Sequence, residues 1–329
     1  MAKSFLFRSH SAVAAGGGLG IFAYNAGEGS DKKNTHAVRH FPYAGARKVN
    51  AQVQFAQHRA LNIVRALIVG LLVGMIAANV WPLLLLNLGM PIAAVAEVVF
   101  LSAYIWWVAG GGPPRSLKAA RADNFRVRSL SAAQWTWGLI AAVTFAATIH
   151  ASIVLLFRIV PFPAAAFHRG YDFSFIASHQ MQWVACIVSA LSAGVCEETG
   201  FRGYMQRPIE KRSGPLVAIF ISSLAFMLIH MTKDWALIGM VPIVFGAGVL
   251  LGVLAYASGT LIFGILGHWF MDIGLFAYWW TQIAGTFPQR PISETGVDTA
   301  ACVEILVFAV LLAVLLMAIG RLRRLNSAQ

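Results

Sequence analysis

Residues 196–204 read Cys-Glu-Glu-Thr-Gly-Phe-Arg-Gly-Tyr and end an apolar run that begins near residue 179. Three ionisable side chains thus fall within six positions, in a chain of which only 12% of residues are charged. An ionisable group at the depth of a bilayer costs roughly 2.5–3.5 kcal/mol even on lenient insertion scales. We therefore expect Glu197, Glu198 and Arg202 to pair with other polar groups or to have a function inside a membrane-embedded helix.

The composition of the whole chain supports a membrane environment. Of its 329 residues 58% are hydrophobic, and the mean hydropathy is +0.70. Apolar runs of about 20 residues recur along the sequence, which is typical of polytopic helical membrane proteins. The short alternating segments of a transmembrane barrel are absent from the sequence. The fold class predicted is all-α, a polytopic transmembrane helical bundle.

The apolar runs predict about eight spans. They lie near residues 61–86, 91–109, 134–157, 179–207, 214–231, 235–257, 260–280 and 300–320.

These spans suggest four regions. Residues 1–60 are polar, basic and rich in glycine, which predicts a disordered tail. Residues 61–178 hold spans one to three and an interfacial loop, residues 179–282 hold a membrane core, and residues 283–329 hold the last span and a basic C-terminus.

The distribution of charge predicts the topology. A net charge of +12 can signal nucleic-acid binding, but here the cations lie between the apolar spans. Eight Lys and Arg fall in residues 1–60, five follow span two, three follow span four and three follow span eight. This bias predicts a multi-pass protein with both termini cytoplasmic, in the plasma (inner) membrane if the protein is bacterial. It favours anionic lipids, not nucleic acid, as partners of the cations.

The few polar residues inside the spans fall into three groups. Glu198 and Arg202 are four residues apart on span four and can pair along one helix face, whereas Glu197 points about 100° away. His268 and Asp272 on span seven are also four apart and project together.

A count of helix rise brings these groups to similar depths. At 1.5 Å per residue from the basic ends of their spans, Glu197 lies roughly 15 Å deep, His230 roughly 24 Å and His268 roughly 12 Å. An error of several residues at each span end shifts a depth by about 5 Å, so the three depths agree within this error. The active site is therefore expected in one cavity between spans four, five and seven.

The three groups form an ordered pattern: Glu197-Glu198-x-x-x-Arg202, Phe226-x-x-x-His230 and His268-x-x-x-Asp272. Over about residues 180–280 this pattern resembles the CPBP (Abi) intramembrane proteases. That family includes the type II CAAX prenyl proteases and bacteriocin-processing or immunity proteins. The resemblance implies a CAAX-type endopeptidase that hydrolyses a peptide bond of a membrane-associated substrate.

The same resemblance implies roles for the matched residues. Glu197 and His230 would activate a water, and His268 with Asp272 would stabilise the oxyanion. Glu198 and Arg202 would hold the architecture, with Phe226 packed beside the site. Asp272 departs from the commoner asparagine of the family, since an ionised aspartate cannot donate to an oxyanion.

Two mechanisms stay open at this point. In the metal-free one, Asp272 is protonated or orients His268. In the metalloprotease one, Glu197, His230 and His268, with or without Asp272, bind a divalent metal such as zinc that activates the water. Prenylated C-terminal peptides are the best-known substrates of the family, but no prenyl-binding signature is visible in the sequence.

Two other functions compete with proteolysis. A non-catalytic immunity or assembly protein would keep the motif as a structural polar core. A proton-coupled transporter would use the buried carboxylates, but no inverted duplicate of the motif occurs in spans one to three.

Two further polar residues lie inside the spans. Glu97 in span two is either a neutral, helix-bonded carboxyl or a contact for substrate or an ion. His150 in span three is expected to make an interhelical hydrogen bond.

Overall fold

The computed structural model of the protein describes residues 44–168, 171–234, 239–286 and 290–327, with side chains from residue 59 onward. Residues Val49–Gln329 form one compact unit, and of the other unit, Met1–Lys48, only the start of the first helix is described. The predicted tail at 1–43 lies outside the described residues. Residues 44–60 are helical, whereas the sequence predicts disorder there.

Helices make up most of the described chain, and no strand occurs within it. The α-helices are α1 (Ala44–Ala78), α2 (Val80–Leu88), α3 (Ile92–Val108), α4 (Lys118–Asn124), α5 (Ala132–Ile159), α6 (Ala164–His168), α7 (His179–Glu198), α8 (Arg207–Ser213), α9 (Pro215–His230), α10 (Val241–Ser258), α11 (Ile262–Gly274), α12 (Ile292–Thr295) and α13 (Thr299–Ser327). Two π-helical segments, Thr199–Gln206 and Leu275–Trp280, continue α7 and α11.

Six of the described helical stretches are long and apolar enough to cross a membrane. They are Arg59–Leu88, Ala132–Ile159, His179–Ser213, Val241–Ser258, Ile262–Trp280 and Thr299–Ser327. The prediction of an all-α, polytopic transmembrane bundle is confirmed.

Two shorter apolar helices, Ile92–Val108 and Pro215–His230, correspond to predicted spans two and five. At 1.5 Å per residue each is only about 25 Å long, less than the roughly 30 Å of hydrocarbon in a bilayer. The count of eight spans therefore stays a prediction. The predicted start of span six at residue 235 lies outside the described residues, and α10 begins at Val241.

Helix α7 is the centre of the bundle. In His179–Ser213, 72% of the most apolar stretch is buried, against 17% in Thr299–Ser327. Helices α3 and α11 pack against α7, while α13 packs on α5 at the periphery. The motif at residues 197–202 therefore lies on the least lipid-exposed of the spans.

Glycines bring α1 into backbone contact with the π segment that follows α7. A Cβ atom added to Gly200 would lie 2.7 Å from the carbonyl oxygen of Gly70 and 2.7 Å from the Cα of Gly74. Gly70 and Gly74 are four apart on α1, the spacing by which small residues let membrane helices approach closely. Only a residue without a side chain fits at this crossing.

The helices alternate in direction between two ends. At one end, called the basic end below, residues 123–128, α8, residues 258–260 and Asn326 meet. There Lys211 Nζ lies 2.5 Å from Asp123 Oδ2, and Arg128 donates to the Ser258 carbonyl at 3.3 Å. At the opposite end the Tyr171 ring stacks on Trp280 with centroids 4.4 Å apart. This alternation agrees with the predicted order of spans, and the assignment of the basic end to the cytoplasm stays a prediction.

We predict that Gly200→Ala lowers the free energy of unfolding by about 1–3 kcal/mol, because the new methyl group must push α1 away from the π segment. Thermal unfolding in detergent measures the effect.

Gly320→Ala is the matched control, since nothing described lies within 4 Å of a Cβ at Gly320 on α13. Alanine is intrinsically the better helix former, so this control should keep or raise the melting temperature. Equal melting temperatures for the two variants would contradict the proposed contact.

Candidate active site

The first motif lies where α7 changes from α-helical to π-helical geometry. Helix α7 ends at Glu198, and the π segment runs over Thr199–Gln206 with all of its residues buried. The Thr199 hydroxyl donates to the carbonyl of Val195 at 2.6 Å, across this junction. π-Helical turns are rare and occur frequently at functional sites. Sequence reasoning predicted a continuous helix here and did not foresee the change in geometry.

Glu198 and Arg202 form the predicted pair, in full burial. Arg202 Nη1 donates to Glu198 Oε1 at 2.7 Å, and neither side chain is exposed. Arg202 Nη2 also donates to the carbonyl of Gly248 on α10 at 3.1 Å, and its guanidinium lies 4.6 Å above the ring of Phe226 on α9. The pair therefore joins α7 to two neighbouring helices.

Glu198 has a second partner that the sequence did not indicate. His268 Nδ1 lies 3.0 Å from the same Oε1 atom. A carboxylate oxygen only accepts, so Nδ1 carries the proton and donates it. This contact fixes the orientation of the imidazole ring and turns its Nε2 atom towards Glu197 and Asp272, which lie 4.0 Å and 3.5 Å away.

His230 is oriented in a similar way from α9. Its Nδ1 atom lies 2.7 Å from the carbonyl of Phe226, which can only accept, so Nδ1 is again the donor. Its Nε2 atom faces Glu197 Oε2 at 4.0 Å. Glu197 Oε2 is buried and has no hydrogen-bond partner among the described protein atoms.

The two 4.0 Å gaps have a chemical meaning. They are too long for direct hydrogen bonds, and polar groups at such separations are commonly bridged by water. Glu197 therefore lies between two Nε2 atoms at a distance that suits a bridging water.

All four candidate catalytic residues line one cavity of about 490 Å³. Glu197, His230, His268 and Asp272 meet there, and the cavity reaches towards the end opposite the basic end, where Lys233 lines it. Side chains from α7, α9 and α11 thus line one cavity, while the position of the active site and the roles of the residues stay predictions.

The spacing of the same residues bears on whether they can bind a metal ion. Nitrogen and oxygen ligands that bind zinc at about 2.0–2.1 Å in tetrahedral geometry lie roughly 3.4 Å apart. The Nε2 atoms of His230 and His268 are both 4.0 Å from Glu197 Oε2, and no group of three His, Cys, Asp or Glu residues in the described chain has metal-binding geometry. The side chains as placed do not form a metal site.

Two cavity residues were missed by sequence reasoning. Ser192 lines the cavity and donates to Glu97 Oε1 at 2.6 Å, and Ser189 accepts from the Trp81 indole at 2.5 Å. Ser192 and Ser189 lie on α7, five and eight residues before Glu197, and this run of polar residues is the signal that could have found them. Glu97 is fully buried and bonded to a neighbouring helix, as one of its two interpretations required.

His150 has the interhelical contact expected of it. Its Nε2 atom lies 3.0 Å from the carbonyl oxygen of Met271 on α11, so this prediction is confirmed.

Comparison with known families agrees with the motif. Residues 179–274 match the family model described as type II CAAX prenyl endopeptidase Rce1-like. The matched range runs from the start of α7 to the end of α11 and contains all three motif groups. Searches of curated proteins and of solved structures gave no match. The match supports an integral membrane protein with membrane endopeptidase activity in general, and it confirms the resemblance of this chain to the CPBP family.

Proposed function

We propose that the protein is a glutamate-dependent intramembrane endopeptidase in which Glu197 is the general base. One observation carries the proposal. Glu197 has a carboxylate oxygen with no hydrogen-bond partner in the described structure, placed 4.0 Å from the Nε2 atoms of two histidines inside one cavity.

The proposed reaction begins with a water held between Glu197 Oε2 and His230 Nε2. Glu197 takes one proton from this water, and the oxygen attacks the carbonyl carbon of the substrate peptide bond. The electron pair of the carbonyl moves to its oxygen and forms a tetrahedral oxyanion. Collapse of this intermediate breaks the C–N bond, and the proton on Glu197 passes to the leaving amine.

His268 is proposed to stabilise the oxyanion. With Nδ1 donating to Glu198, the ring can present an Nε2–H only in its doubly protonated form. Three carboxyl groups, those of Glu197, Glu198 and Asp272, surround the ring and attract that positive charge. In this arrangement Asp272 orients and compensates His268, so it need not donate to the oxyanion as the commoner asparagine would.

The substrate class follows from the position of the cavity. The family implies a membrane-associated protein substrate. Because the cavity lies within the bundle, the scissile bond must lie in an extended segment close to the membrane. A prenylated C-terminal peptide is one such substrate, and the family makes it the first to test.

The non-catalytic alternative has less support from the geometry. Members of a structural polar core bond one another, as Glu198, Arg202 and His268 do, although Glu198 Oε2 and Arg202 Nε have no hydrogen-bond partner among the described atoms. Glu197 Oε2 also has no such partner, and it faces the cavity with its two histidine neighbours 4.0 Å away.

We predict that Glu197→Gln lowers the rate of cleavage by about 10²–10⁴-fold, the usual contribution of a general base. The assay is cleavage of a membrane-tethered peptide by purified protein in nanodiscs. Glu294→Gln, the same change at an exposed residue of α12, is the control and should keep full activity. Undiminished cleavage by Glu197→Gln would refute the assignment.

We predict that Glu198→Ala lowers the free energy of unfolding by about 3–5 kcal/mol, since it leaves the buried Arg202 without its counter-charge. Glu197→Ala should leave thermal stability unchanged, because Glu197 Oε2 has no hydrogen-bond partner among the described atoms. Differential scanning fluorimetry compares the two. A larger loss of stability in Glu197→Ala than in Glu198→Ala would contradict the assignment of the structural role to Glu198.

We predict that exhaustive chelation leaves the cleavage rate unchanged. The 4.0 Å gaps around Glu197 suit water better than a tetrahedral ion. Activity is measured before and after dialysis against chelator, together with the metal content of the protein. Loss of activity that zinc restores would assign Glu197, His230 and His268 as metal ligands instead.

A further inference from the structure

A second cavity lies at the basic end and shares no lining residue with the cavity of the proposed catalytic residues. Its volume is about 410 Å³, and three arginines line it: Arg126, Arg128 and Arg207. Asp123 is the single acidic residue in its lining. We call it the arginine pocket.

Neighbouring groups hold each arginine in place. Arg126 Nη2 donates to Glu210 Oε1 at 2.8 Å, and Arg207 Nη2 donates to Asp123 Oδ1 at 3.2 Å. Arg128 Nη1 donates to the Ser258 carbonyl at 3.3 Å and to the side chain of Asn326. The guanidinium groups are thus pre-organised around the pocket, which lowers the entropy cost of binding a ligand there.

The negative charge present does not balance these cations. Asp123 is shared between Arg207 and Lys211, and Glu210 is shared between Arg126 and Arg207, which lies 3.6 Å away. Among these groups two carboxylates are therefore shared by three cations, Arg126, Arg207 and Lys211.

Arg126 shows the shortage of acceptors most clearly. Its side chain is 3% exposed, and its Nε atom is buried without a hydrogen-bond partner among the described atoms, as is the Nε atom of Arg207. Burial lowers the pKa of the Arg126 guanidinium, the charge of Arg207 lowers it further, and Glu210 only partly opposes both. An anion in the pocket would relieve this excess of positive charge.

We propose that the arginine pocket binds a phosphate group, either that of an anionic phospholipid headgroup or that of a small soluble phosphate. Arginine forks match the oxygens of a phosphate and can bond them in pairs. The pocket lies where helices α4, α10 and α13 end, beside Tyr256, which is the level expected for lipid headgroups.

The pocket touches the helix that carries the motif. Arg126 Nη2 also lies 3.5 Å from the carbonyl oxygen of Arg202, within the π segment. Glu210, the partner of Arg126, accepts from Gln206 at the end of the same segment at 2.8 Å. A bound phosphate that holds Arg126 should therefore stabilise the π segment Thr199–Gln206, which contains Arg202, the partner of Glu198. Binding should then appear as a rise in melting temperature.

The test compares purified protein in nanodiscs of phosphatidylcholine with protein in nanodiscs that also contain phosphatidylglycerol. We expect the anionic lipid to raise the melting temperature by on the order of 5 °C, as a ligand well above its dissociation constant does. Arg128→Gln and Arg207→Gln should each lose most of this rise. Arg323→Gln removes the same charge from an exposed position on α13 outside the pocket and should keep it.

A second arm separates the two sources of phosphate. Glycerol phosphate is titrated against protein in pure phosphatidylcholine nanodiscs. A saturable rise that Arg207→Gln abolishes would assign a soluble phosphate, and a rise only with phosphatidylglycerol would assign the lipid.

Native mass spectrometry counts phosphatidylglycerol retained by each variant, which keeps the test valid if a variant is less stable. No rise from either phosphate, or equal rises and equal retention in Arg128→Gln and Arg323→Gln, would overturn the proposal.

Discussion

The structure depends on one buried ion pair. Glu198 and Arg202 carry opposite charges at zero exposure, where two isolated ions would each cost several kcal/mol to desolvate. The attraction between them and their hydrogen bonds to neighbouring helices offset that cost, although Glu198 Oε2 and Arg202 Nε have no hydrogen-bond partner among the described atoms. Arg202 donates to Gly248 on α10 and lies over Phe226 on α9, and Glu198 accepts from His268 on α11. Because two charges in an apolar interior need polar partners, this pair fixes the positions of α7, α9, α10 and α11 relative to one another.

The pair also explains why the adjacent residues Glu197 and Glu198 lie in different surroundings. Successive residues of a helix point about 100° apart, so when Glu198 turns towards Arg202, Glu197 must turn towards another face. That face opens on the cavity, where His230 and His268 present their Nε2 atoms. The orientation of His268 is set by Glu198, so the structural carboxylate positions a partner of the proposed catalytic one. The structural residue Glu198 and the proposed catalytic residue Glu197 are adjacent in sequence because the same turn of helix α7 carries both.

Much of this arrangement could be predicted from the sequence, and the rest depends on tertiary contacts. Hydropathy predicted the all-α membrane bundle, and i,i+4 spacing identified the pair of Glu198 and Arg202, because both signals are local. The counts of helix rise brought Glu197, His230 and His268 to a common level within several ångströms, which predicts a cavity but not the 4.0 Å gaps. The contact of His268 with Glu198 joins residues 70 positions apart, and the backbone crossing of Gly70 with Gly200 joins residues still further apart. Neither leaves a periodic signal in the chain.

The gaps around Glu197 bear on the choice between water and metal. Both imidazole rings are anchored through Nδ1, His230 by the Phe226 carbonyl and His268 by Glu198. Anchors of this kind also occur behind zinc-bound histidines, so they alone do not distinguish the mechanisms. They do fix the Nε2 atoms, which leaves Glu197 as the side chain that would have to move by about 0.6 Å towards each ring to reach the roughly 3.4 Å separation of tetrahedral ligands. A water needs no such movement, since it accepts and donates across gaps of this size. In the proposed mechanism Asp272, 3.5 Å from His268 Nε2, orients that ring and compensates its positive charge.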